Sequence, residues 1–297
     1  MPDFSIVDSH VHLQDPSYVH IPWTTRHPGK YDQPLLLPQY NTATAAASLT
    51  IDSIVYVETD TDPASGLAEA FWINSYAESV APQVRAIVAF APVYQGDHLR
   101  SYLDILKTLG TRIKGVRYLL QDPERDPTLP ASPEFVRGCQ ILAEYGYSFD
   151  ITIHASKYPE QFPPIVELIR RCPETQFVLD HAGKPPCNDH GRISEYRVML
   201  KEIASYPNVV CKISGLVTEA APEEVPVKLE TVQPFLEAIF EEFGLDRVMF
   251  GGDWPIVEIN GDTYKNWAEI FEKLTKHLSE RDKRKVWNEN ARKVYRL

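Results

Sequence analysis

Cysteine is scarce in this chain. There are four in 297 residues, Cys139, Cys172, Cys187 and Cys211, and no CxxC pair. That excludes a disulfide framework and a cysteine-built zinc site, and makes reduced thiols in a cytoplasmic protein the expectation. No apolar run approaches the roughly 18 residues a membrane-spanning helix needs. The opening Met1-Pro2-Asp3-Phe4 has neither the basic start nor the long apolar stretch of a secretion signal. Basic residues number 30 against 41 acidic ones, a net charge of −11, and no Lys/Arg block occurs. Nucleic acid and anionic membrane, which both need a basic face, are therefore not expected as partners. What remains is ordinary: 43% hydrophobic and 11% aromatic residues, enough to bury a large core.

Eight short apolar runs have strand character: Ile6–His12, Ser53–Glu58, Val84–Ala91, Ile113–Tyr118, Ser148–His154, Gln176–His181, Asn208–Ile213 and Arg247–Asp253. Each is separated from the next by about one helix and two loops. Helical patterns fill the gaps. The clearest opens at Ser132-Pro133-Glu134, a cap followed by proline and an acid, and stops at Gly146. Others run from Asp62-Pro63 towards Val80, from Thr231 to Phe243, from Tyr264 to Leu278 and from Ser279 to Tyr295. Eight such units predict a single (β/α)8 barrel spanning residues 1–297. The rival, a doubly wound open sheet, would more often carry a Gly-rich phosphate turn after an early strand, and none is present.

Three segments exceed ordinary loop length: Gln14–Tyr40, Gly183–Ile193 and Ser214–Pro226. All follow strands, so in a barrel they belong to the face where such folds do their chemistry.

Chemistry-bearing residues gather at the same ends. His10 and His12 close the first run, and residues two apart in a strand share a face. Two imidazoles so placed form a metal clamp or a proton-handling pair. His154 ends the fifth run, His181 the sixth and Asp253 the eighth. Four histidines and one aspartate at four strand ends predict one shared site at the barrel mouth. Arg117 ends the fourth run with inward parity and wants an anion, either on a substrate or on Glu58, which ends the second run with inward parity and is a candidate acceptor for substrate hydroxyls or a partner that neutralises Arg117. Trp23 and Trp254 are candidate walls for a ring, or packing residues. Lys184 is a candidate substrate contact or an exposed loop lysine. His27, in the first long loop, is a further candidate substrate contact, or an ordinary polar loop residue. Lys212 is expected to be structural support.

The order of these motifs resembles the amidohydrolase superfamily. VDSHVHL at the start, LDHAGKP after the sixth strand, MFGGDWP at the eighth and NENARKVYRL at the end are similar to its lactonase branch, that of L-fuconolactonase, L-rhamnonolactonase and 2-pyrone-4,6-dicarboxylate lactonase. The resemblance runs end to end. It implies hydrolysis of a sugar-acid lactone, a small-molecule substrate. The bridging lysine of binuclear members is missing: Lys114 is out of phase in IKGVRYL and the fifth strand ends in His154. The resemblance therefore implies one divalent ion, zinc, or none. His10, His12 and Asp253 are then the expected ligands, with His154 as a fourth. Asp253 is the expected base, and His154 and His181 are donors to the substrate, His181 to the carbonyl. The alternative is a metal-dependent decarboxylase of an aromatic or muconate-type acid. A homo-oligomer stays open.

Overall fold

The computed structural model describes residues 1–297. Eight strands alternate with eight helices. The strands are β1 Ile6–Val11, β2 Ile51–Val57, β3 Val84–Phe90, β4 Ile113–Arg117, β5 Ser148–Ile151, β6 Phe177–Leu179, β7 Val209–Ser214 and β8 Val248–Gly251. The helices are α1 Leu37–Ala46, α2 Gly66–Ser79, α3 Leu99–Thr108, α4 Pro133–Tyr145, α5 Phe162–Arg171, α6 Ile193–Ala204, α7 Leu229–Phe243 and α8 Tyr264–Thr275. The strands pair in parallel in sequence order. Just past β8, the Asp253 amide donates to His10 O and the His12 amide to Trp254 O, both at 2.8 Å, tying the last strand to the first. The cylinder is the expected (β/α)8 barrel.

Burial on both faces explains why the strands read as apolar runs instead of alternating ones. Every residue of β1, β5, β6, β7 and β8 is buried. Inside the barrel, Val7, Val55, Val57, Ala86, Val88, Val178, Val210 and Met249 pack together, and Tyr295 of the last helix joins them from below. Above this apolar floor the inward positions turn charged, with Asp150 on β5 and Lys212 on β7 fully buried.

The α4 signals read as expected. Ser132 Oγ accepts from Phe135 N at 3.3 Å, and Gly146 ends the helix at φ +70°. Asp62 instead caps a short 3-10 turn, Pro63–Ser65, and α2 begins only at Gly66. The last expected helix is a continuous run made of Glu280–Arg284, a π turn over Lys285–Glu289 and Asn290–Tyr295.

Three strands end two or more residues earlier than their apolar runs suggest. β5 stops before His154, whose amide donates to Gln161 Oε1 at 2.9 Å instead of continuing the ladder. β6 stops before Asp180, and His181 and Ala182 turn left-handed at φ +51° and +52°. β8 stops at Gly251, and Asp253 sits at φ +57°. The parity of a strand does not extend to these three chemical residues. Their directions are set by turns.

Candidate active site

His10 and His12 do share a face. Their Nε2 atoms lie 3.1 Å apart, both rings are buried, and Asp253 Oδ1 stands 3.7 Å from one and 3.6 Å from the other. His12 Nδ1 donates to Val57 O at 2.8 Å, because a carbonyl only accepts. With that proton on Nδ1, the neutral ring leaves Nε2 as a bare lone pair facing His10.

His10 has two choices. Its Nδ1 is 3.3 Å from the Lys212 ammonium and 3.3 Å from Asp180 Oδ1. Asp180 Oδ1 is buried and accepts no well-aligned hydrogen bond. A proton on His10 Nδ1 serves that oxygen and turns the second Nε2 lone pair towards the first. Two bare nitrogens and a carboxylate oxygen then converge. At metal–nitrogen distances of about 2.0–2.1 Å, tetrahedral ligands stand roughly 3.4 Å apart. The three side chains present therefore fit a divalent cation.

The electrostatics agree. Burial pushes the Asp253 carboxyl up, but the nearby His181, His12 and His10 rings outweigh it and hold the group well below the usual carboxylate range. Burial lowers His10 and His181, which favours the neutral rings that binding a cation or donating to a substrate would need. Gly215 lies against Asp253 at φ +62°, and a Cβ there would run into the Asp253 carboxylate. Glycine at this point is what lets the β7 loop pass.

Beneath the histidines lies a buried charge network that the sequence reading resolved only in part. Lys212 Nζ is 2.5 Å from Asp150 Oδ2 and 3.1 Å from Asp180 Oδ1. Thr152 Oγ1 donates to Asp180 Oδ2 at 2.7 Å, and the Arg117 guanidinium stands 3.6 Å from the same oxygen. Burial opposes the Asp180 charge, but Lys212 and His10 hold the carboxyl well below its ordinary value. Lys212 is structural support, as expected. Asp180 was overlooked, although it precedes His181 in FVLDH.

A cavity of about 400 Å³ opens above the histidines, and His12, Trp23, His27, Arg117, His154, His181, Lys184 and Asp253 all line it. Trp23 is fixed by its indole N–H, which donates to Thr59 O at 2.7 Å, and by Tyr31, whose ring lies 5.5 Å away. Arg117 both lines the cavity and bonds Glu58, with Nε 2.6 Å from Oε1. Burial works against its charge, and Glu58 and Asp180 more than restore it.

Three expectations are corrected. Glu58 is buried beneath Arg117, and its other oxygen accepts from Asp60 N at 2.6 Å, so it is a partner of Arg117 and not part of the cavity wall. Trp254 is 3% exposed and packs edge-on to Tyr40 in the core, because the turn at Asp253 sends the next side chain the other way. His154 does not join the cation donors. Its Nε2 is 3.3 Å from Glu219 Oε2 and its Nδ1 is 3.2 Å from Ser156 Oγ. Glu219 went unnoticed because it comes from the β7 loop, where no periodicity marks it.

Known proteins resemble this one along its length. An L-fucono-1,5-lactonase of Burkholderia multivorans is 32% identical over 195 residues, covering 63% of this chain and 64% of the relative's own length. An L-rhamnono-gamma-lactonase of Scheffersomyces stipitis is 26% identical across the whole of both chains. The crystal structure of a Burkholderia multivorans amidohydrolase with bound zinc superposes with a TM-score of 0.84, at 26% identity, over 99% of this chain and 100% of that one. The amidohydrolase family profile matches residues 7–297, essentially the whole barrel, and the chain belongs to that family.

Proposed function

We propose that this protein hydrolyses a sugar-acid lactone, using a single zinc ion held by His10, His12 and Asp253. The observation that carries this reading is the convergence of two imidazole nitrogens and a carboxylate at the floor of a cavity. The lactonase relatives supply the substrate class. When bound, such an ion lowers the pKa of water and polarises a carbonyl.

The protein's own groups do the rest. Asp253 is ionised and able to take a proton from water, then return it to the ring oxygen as the ester bond breaks. His181 Nδ1 is 2.9 Å from Ser214 Oγ and 3.2 Å from Ser214 O, and the role needs the tautomer in which the hydroxyl donates to Nδ1 and the proton of the neutral ring sits on Nε2. His181 Nε2–H then serves as a donor to the lactone carbonyl. Trp23 offers an aromatic wall to the C–H face of the ring.

No observation favours the decarboxylase reading. Its carboxylate anchor would be Arg117, whose charge is already met by Glu58 and Asp180.

The test is metal analysis of the purified protein, then acid release from a lactone panel with and without chelator, with CO2 release followed in parallel. Asp253→Asn is expected to lower kcat by about 10²–10⁴ with the fold intact. Near-complete retention of activity removes Asp253 as the base, and CO2 release in place of acid release removes the lactonase reading.

A further inference from the structure

The four residues after Asp180 form one turn of left-handed helix: φ is +51° at His181, +52° at Ala182, +72° at Gly183 and +59° at Lys184. Left-handed backbone costs about 1–2 kcal/mol per non-glycine residue and persists only where neighbours over-determine it. Here each carbonyl has a donor. His181 O accepts from Lys184 N, Ala182 O from Tyr196 Oη, Gly183 O from Ala155 N and Lys184 O from Ser156 Oγ, at 2.7–3.2 Å. Residues three apart in such a tight turn stack over one another. The strained turn therefore brings the Lys184 ammonium to the same cavity as His181.

Lys184 has three N–H bonds. One reaches Glu219 Oε1 at 3.0 Å, and the other two have no protein acceptor, although the side chain is only 16% exposed. Their natural partners are oxygens of a bound ligand. Glu219 is itself 10% exposed and contacts His154 with its second oxygen. It thus cancels most of the lysine's charge while holding the group in place. The other deep cation, Arg117, is cancelled by Glu58 in the same way. Arg26 and Lys157 also line the cavity but lie at its exposed rim, where salt screens them.

We propose that Glu219 is a positioning residue that sets ligand selectivity by charge. It leaves Lys184 as a hydroxyl-reading donor for a neutral polyhydroxy lactone and prevents the ammonium from gripping an anion. This rests on the lactonase reading, in which the substrate is neutral and the product is its carboxylate. Opening the ring creates the one species the neutralised pair holds poorly, and the product leaves.

The experiment compares wild type and Glu219→Gln by calorimetric titration with the aldonate L-fuconate and with the neutral polyol L-fucitol, alongside lactone turnover. Removing the buried negative charge is expected to tighten the aldonate on the order of tenfold relative to the polyol. Product inhibition should deepen in parallel. The double variant Lys184→Met/Glu219→Gln should lose that gain, which a merely structural role would not predict. An unchanged aldonate-to-polyol ratio in Glu219→Gln, or a gain that survives in the double variant, overturns the proposal. If no lactone is turned over and the ratio still shifts, the catalytic reading falls and the charge pair stands. Turnover with no shift does the reverse.

Discussion

Lys212→Met is the sharpest probe of the barrel interior. The substitution keeps the length of the side chain and removes its charge, so little cavity is left. What it takes away is the cation between two carboxylates, 2.5 Å from Asp150 and 3.1 Å from Asp180, with all three side chains fully buried. Removing one partner of a buried pair costs about 3–5 kcal/mol, because the remaining charge cannot reach water. The cost also varies with pH. Burial already pushes the Asp150 carboxyl up to about 6, with Lys212 pulling the other way. Without the ammonium it climbs further. A carboxyl raised above its unfolded value, near 4, stabilises the fold fully below that value and loses the contribution as pH rises through the folded one. The deficit of the variant is therefore smallest in acid. Urea unfolding should show a loss of about 3–5 kcal/mol at pH 8 and less than about half of that at pH 5. An equal deficit at both pH values, or one below about 1 kcal/mol at pH 8, would refute the claim that this ammonium is what keeps both carboxylates charged inside the barrel.

Two further outcomes follow from neighbouring groups. Asp180→Asn removes the carboxylate that faces His10 Nδ1 and should weaken metal binding about 10–100-fold, read by competition with a chromogenic chelator. Unchanged affinity would mean that Asp180 does not set the His10 tautomer. Glu69 is buried, chiefly for that reason pushed up to about 7, and one of its oxygens has no hydrogen-bond partner. Its folded value is raised, so its stabilising contribution is complete below the unfolded value near 4.5 and is lost as pH rises through about 7. Glu69→Gln should thus gain about 1–2 kcal/mol over wild type at pH 8, and the gain should vanish by pH 5. Urea unfolding at the two pH values checks it, and a pH-independent difference sinks it.

The barrel was legible because a parallel strand covered on both faces has to be an apolar run, and eight such runs at helix-plus-strand spacing leave few alternatives. The site was legible where the strand itself aims the side chain. His10 and His12 lie at or just past the end of β1 and Arg117 ends β4, and alternate-residue parity sends all three to the cavity region. Glu58 obeyed the same parity yet ended beneath Arg117. Parity gives the direction of a side chain but not what will already be standing there. Asp180 and Asp150 could have been found by asking what a lysine with inward parity in the middle of β7 must be paired with. Burying an unpaired ammonium is too costly, so at least one inward acid at the same level of the barrel was required, and Asp150 within β5 and Asp180 just past β6 supply two.

Past the strand ends, periodicity has nothing to say, and that is where the chemistry sits. Four cavity-lining residues, Asp60, His181, Lys184 and Asp253, are non-glycine residues with positive φ. Asp and His tolerate that backbone better than most residues, but the preference is too weak to mark the positions, and a sequence pattern based on propensity reads straight through it. Their conformations are imposed from outside. Tyr196 of α6 holds the turn after β6, the end of β1 holds the Asp253 amide, and Gly215 clears the space beside its carboxylate. The strain is therefore a signature of the site itself. A group just beyond its strand reaches the barrel mouth on relaxed backbone only where parity already aims it there, as at His12; at His181 and Asp253 a left-handed turn re-aims the side chain. Trp254, one residue past Asp253, marks the boundary: it follows the same turn and is delivered to Tyr40 and the core.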